Sequence, residues 1–201
     1  MLDEAVGETV RDLGPPGSAA QGIDALIDAG LLRDEGEDGG ERRVAASEGL
    51  QGELSPVSSR VEAYCRALET FRRRPNRPAG VLERVMSQAA CLFNEGLFFE
   101  VHEVLEAVWL RAQGQVRLAL QGLIQIAAGF HHLENENLWG ALSLLREGRE
   151  KLKNHSPAAV GLELDRFLEQ VRACHDSIEA LGRNAFDRFD RGMIPQMRLL
   201  P

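Results

Sequence analysis

Long apolar runs are missing from this chain of 201 residues. About 18 consecutive apolar residues are needed to cross a bilayer as a helix, and no such stretch occurs. Paired cysteines are missing too. Cys65, Cys91 and Cys174 stand far apart with no C-x-x-C spacing, which excludes a disulfide framework and fits a reducing compartment. The start, Met1-Leu2-Asp3-Glu4, lacks the basic residues of a secretion signal. A cytoplasmic protein is the expectation from these three absences. The usual catalytic signatures are absent as well: there is no G-x-S-x-G, no P-loop and no G-x-G-x-x-G.

Acidic charge is present, but in one place. Residues 1–50 hold 12 Asp/Glu against 4 Lys/Arg, which by itself accounts for the net −8. Residues 51–201 are balanced at 19 of each. Such an asymmetry divides the chain into a small acidic unit and a larger neutral one. Within the first unit the pattern is helical from Asp3 to Leu13, broken at Gly14-Pro15-Pro16-Gly17. It becomes helical again after Ser18, with Ile23, Leu26 and Ile27 as the apolar stripe. Leu31-Leu32-Arg33 and Arg42-Arg43-Val44-Ala45 then read as two strands around an acidic loop, Asp34 to Gly40. Helix, helix and hairpin in this order resemble part of a winged-helix domain over residues 1–48. The wing itself, Asp34-Glu35-Gly36-Glu37-Asp38, has the wrong charge for DNA, whose phosphates need Lys or Arg. A protein partner for this acidic segment is therefore the expectation, and a DNA-binding regulator ranks below it.

The larger unit, residues 54–201, reads as helix almost throughout. Ser55-Pro56 opens a helix whose buried face would be Val57, Val61, Tyr64, Leu68 and Phe71, with Arg72-Arg73-Arg74 at its negative end. Four helical patterns follow with short connections: Val81 to Phe93 ending at Gly96, Leu97 to Ala112, Val116 to Leu133, and Asn137 to Leu152. A further helix runs from Val160 to Leu181. Residues 182–201 are irregular but apolar enough to pack on the rest. Short links between consecutive helices make antiparallel neighbours, so the expected fold is mainly α: an antiparallel multi-helix bundle with the small α+β segment in front.

The densest chemistry lies between Phe98 and Trp109. At about 100° per residue, Leu97, Val101, Val104, Leu105 and Val108 share an apolar face. His102 and Glu106 lie one turn apart at its edge beside Trp109, while Glu100 and Glu103 point nearer the opposite side. In the next helix Gln121, Gln125 and His132 line up away from the main apolar face. Gly122, Ala128 and Gly129 there leave room for a close neighbour. If the two helices face each other, one cleft collects the whole set. A histidine and a carboxylate at i and i+4, with a histidine from a facing helix, is a pattern that holds divalent metals, so His102, Glu106 and His132 are the candidate ligands. Two other readings use the same residues: a general acid–base pair of His102 and Glu106, and a hydrogen-bonded network that only fixes helix register. His131, nearer the apolar face, reads as a core histidine.

The run Phe93-Asn94-Glu95-Gly96-Leu97-Phe98-Phe99-Glu100-Val101-His102-Glu103-Val104-Leu105-Glu106-Ala107-Val108-Trp109 resembles the signature of a prokaryotic family, domain of unknown function 309. Leu120 to Gly129 and Asn137 to Ala141 resemble its next two helices, so the likeness extends over about residues 80–155. The resemblance implies an all-helical bundle and no assigned activity. It places Glu100, His102, Glu103, Glu106, Trp109, Gln121 and Gln125 at motif positions. Two functions of different kinds are carried forward: an interaction module docking through residues 1–48, and a metal-dependent or acid–base enzyme centred on His102 and Glu106.

Overall fold

The computed structural model describes residues 32–38, 41–46, 54–73, 80–153 and 160–200. By its internal contacts the chain divides into two units, Met1–Val61 and Glu62–Pro201. The two helical patterns expected before residue 31 lie outside the described residues. What is described of the first unit is an antiparallel strand pair, β1 (Leu32–Asp38) and β2 (Glu41–Ala46), in register from Leu32 opposite Ala46 to Asp38 opposite Glu41. The expected loop is thus mostly strand. Asp34 to Asp38 continue β1, and the register slips between Asp34 and Gly36, a bulge at Glu35 that keeps the pairing going.

Six long helices follow among the described residues: α1 (Leu54–Arg72), α2 (Val81–Asn94), α3 (Phe98–Trp109), α4 (Gly114–Glu134), α5 (Leu138–Leu152) and α6 (Leu164–Leu181). The periodicity of the sequence and the short links predict this architecture, and the structure is mainly helical as expected. No helix among the described residues is long and apolar enough to cross a membrane. Gly96 stops α2 as its sequence position suggests. With φ at +76° it takes the left-handed conformation, its N–H reaches Phe93 O, and Leu97 N–H reaches Leu92 O. Asn137 caps α5 by accepting from Gly140 N–H at 3.0 Å.

Consecutive helices from α2 to α6 pack on one another, and α4 against α5 is the most extensive pairing. Their antiparallel sense shows in the partners: a Cβ on Gly122 would meet Leu152 and Gly148, one on Gly129 would meet Leu145, and one on Gly140 would meet His132. The core gathers four phenylalanines, one each from α2, α3, α4 and α6. Phe93 meets Phe98, Phe130 and Phe167 edge-on at 5.1 to 5.8 Å between ring centres, and Phe98 lies 5.3 Å from Phe130.

Two details depart from the pattern-based expectation. In α1 the covered residues are Ala63, Tyr64 and Ala67, while Val61 is 47% exposed. The contact face is turned because Tyr64 hydroxyl donates to Glu100 on α3 and Arg66 pairs with Glu95 at 2.7 Å. At the other end, Val160 to Leu162 do not join α6. Leu162 bridges Leu199, and Glu163 N–H and Leu200 N–H bond across to Arg198 O and Gly161 O, each at 2.8 Å. The apolar tail is further held by Asn94, whose amide accepts from Met197 N–H at 2.7 Å and donates to Met197 O. Met197 and Phe189 are buried as a result.

Candidate functional site

The F-x-E-x-H-E-x-x-E-x-x-W run of α3 divides by role. Glu100, expected to face away from the core, is only 5% exposed. It lies on the side of α3 that α1 covers and accepts the Tyr64 hydroxyl, a contact between residues 36 positions apart. A carboxylate is costly to bury without donors, so this pair fixes where α1 meets the bundle. Trp109 is structural as well. The Arg117 guanidinium lies 4.1 Å from its ring centre and donates to Trp109 O at 2.7 Å and Ala112 O at 3.4 Å. Arg117 thereby satisfies carbonyls at the end of α3, where a cation also suits the helix dipole.

His102, Glu103 and Glu106 remain, all half-buried. One donor atom from each lies within 4.8 Å of the others, and His102 Nδ1 is 3.2 Å from Glu103 Oε1. The helix brings His102 and Glu106 together because they are one turn apart. Glu103, expected on the far side, swings in from the neighbouring position instead. Beside them Phe99 lies 6.4 Å from the His102 ring, nearly parallel to it, and 5.4 Å from the His131 ring of α4.

The polar residues of α4 do not gather as one set. Gln125 turns toward α5, donating to Glu147 at 3.0 Å, while Ser143 donates to the other Glu147 oxygen at 3.0 Å. His132 also turns that way, with its Nδ1 3.1 Å from the Asn137 amide. It is not part of the His102 cluster; the structure puts Glu103 in the third position of the candidate ligand set. The histidine of α4 that meets α3 is His131, half-buried and 3.7 Å from Glu134, rather than a core residue. Gln121 is half-buried, and its side chain has no hydrogen bond or ion pair with the described residues. Sequence reasoning missed Tyr64, Phe99, Arg117 and Glu147. Of these only Arg117, in the first turn after the α3–α4 link, carried a local signal, a cation placed to meet the end of the preceding helix.

The unit Glu62–Pro201 is thus mainly helical and carries a histidine–dicarboxylate cluster on the outward side of one helix. Residues 86–144, from Met86 in α2 into α5, match the model of the family described as Domain of unknown function (DUF309), as the motif suggests. No curated protein and no solved structure matches the chain.

Proposed function

We propose that the domain binds a divalent transition-metal ion through His102, Glu103 and Glu106. The observation that carries this reading is the convergence of one imidazole and two carboxylates within 4.8 Å on a half-exposed face. Mixed nitrogen and oxygen donors suit manganese, iron or zinc, and three protein ligands leave coordination positions open, the arrangement of metal sites that do chemistry rather than brace a fold. Of the neighbouring motif residues, Glu100 accepts from the Tyr64 hydroxyl and the Trp109 ring lies against the Arg117 guanidinium. A His102–Glu106 acid–base pair without metal is the competing use of the same residues. Metal analysis of the purified chain separates the two. Near-stoichiometric uptake of Mn2+ or Zn2+, lost in a folded His102→Ala variant, supports the metal; no uptake by the parent removes it.

A second reading rests on charge alone. The excess of acidic over basic side chains in residues 1–50 fits a basic protein surface, which would make residues 1–48 a docking segment. Deleting residues 1–48 should then abolish salt-sensitive retention on a cationic surface while leaving the metal site unchanged. Retention that survives the deletion argues against it.

A further inference from the structure

Two contacts pin α3 to α4 at opposite ends. Phe99 meets His131 at 5.4 Å, and the Trp109 ring meets the Arg117 guanidinium at 4.1 Å. On α4, Arg117 and His131 belong to one stripe with Gln121, Ile124 and Ala128, since steps of four, three, four and three return to the same side of a helix. All five are half-buried, as the rim of a shallow furrow between two helices should be. The helices are antiparallel, so position along this stripe runs opposite to position along α3. Gln121, one turn beyond Arg117, comes level with Glu106, one turn before Trp109. Gln125, one turn further along α4, is occupied by Glu147. The Gln121 side chain has no such partner among the described residues.

We infer that Gln121 is the specificity-determining arm of the site, donating a hydrogen bond from its side-chain amide to a small oxyanion that fills the open coordination positions of the metal. The inference rests on the metal reading above. A divalent cation held by three protein donors takes further oxygen ligands, and its positive charge selects anions among them. The ligand's outer oxygens then need N–H donors. Arg117 is already committed to Trp109 O and Ala112 O, which leaves the Gln121 amide as the donor that this part of the α4 stripe can offer. A phosphate or a carboxylate meets this chemistry. A neutral apolar ligand would leave both the cation and the amide unsatisfied.

The test is calorimetric titration of the full chain, first with Mn2+ alone and then with inorganic phosphate on the Mn2+-loaded protein. Gln121→Met, nearly the same size and without a donor, is compared with the parent. Gln121→Glu, which puts a negative charge where the donor was, is the second variant. The expected result is Mn2+ affinity in Gln121→Met within about twofold of the parent, with phosphate binding about tenfold weaker, the effect of one charge-assisted hydrogen bond. In Gln121→Glu phosphate binding should be weaker still. Phosphate should not bind the metal-free parent. Failure of the parent to take up Mn2+ overturns the metal site and this inference with it. Mn2+ uptake with equal phosphate binding in all three proteins, or with none in the parent, overturns the role of Gln121 alone.

Discussion

The two long sides of α4 are built on opposite principles. Toward α5 the helix has given up side chains. Gly122 and Gly148 face each other so closely that a Cβ on Gly148 would sit 2.6 Å from Gly122 O, and one on Gly129 would sit 3.0 Å from Leu145 N. Backbone lies against backbone, and the polar groups at its edge, Gln125, Glu147 and Ser143, bond one another. Toward the outward edge of α3 the same helix keeps its side chains and leaves one of them, Gln121, without a hydrogen-bond partner among the described residues. The difference separates what holds the domain together from what is available for a ligand.

The closed side should be the less forgiving one. Gly148→Ala forces a methyl against the Gly122 carbonyl and within 3.0 Å of Ile126 N, both backbone atoms that can yield only by moving a helix. A loss of about 2–3 kcal/mol is expected, read as a lower denaturant midpoint with an unchanged slope. A change below about 0.5 kcal/mol would show that α4 and α5 do not approach as closely as described. The next effect belongs to the α1 anchor. Tyr64→Phe keeps the ring and removes the donor from a buried carboxylate, for an expected loss of about 1–3 kcal/mol. Glu100→Gln added to Tyr64→Phe should recover part of that loss, because an amide is cheaper to leave buried than a carboxylate. If the two losses simply add, the residues do not act as a pair.

How much of this could be read from the sequence follows from how local each feature is. The positions of α1 to α5, the Gly96 stop and the close approach permitted by Gly122 and Gly129 are written within a few residues, and these match the structure. The burial of Glu100 depends on Tyr64, 36 positions away, and no helical period along α3 reports it. The assignment of Gln125 and His132 to the α3 side failed for a related reason. Both turn toward α5, where their partners are Glu147, 22 residues from Gln125, and Asn137, five residues from His132. Within the candidate site, His102 and Glu106 were legible as an i and i+4 pair. Glu103 was not, because its side chain bends around the helix to reach His102.

A third effect lies inside the closed part and depends on pH. Cys174 on α6 is buried, and its thiol donates to Met193 O at 3.2 Å. Burial pushes its pKa up from 9.0 to about 12. The unfolded thiol ionises near 9 and the folded one does not, so this contribution is intact below about pH 9 and is lost as pH rises toward 12. The expected slope is at most about 1.4 kcal/mol per pH unit. Comparing melting curves of the parent and Cys174→Ala at pH 8 and pH 10.5 isolates it, since the alanine variant should lose less stability between the two. Equal pH sensitivity would mean that the thiol is reached by water.

The smallest effect on stability is expected where the chemistry is proposed. His102 is half-exposed, its contact with Glu103 is an ion pair only when the ring is protonated, and its near-parallel approach to Phe99 at 6.4 Å is loose. His102→Ala in metal-free buffer should therefore change stability by no more than about 0.5 kcal/mol, the range of ordinary surface substitutions. In the presence of Mn2+ the parent should gain in melting temperature with metal concentration and the variant should not, because only a ligand that binds the folded state raises it. A large loss in the metal-free variant would place His102 with Glu100 and Trp109 among the residues that hold the bundle. The open side of α4 would then be as structural as the closed one, and the contrast drawn between them would fail.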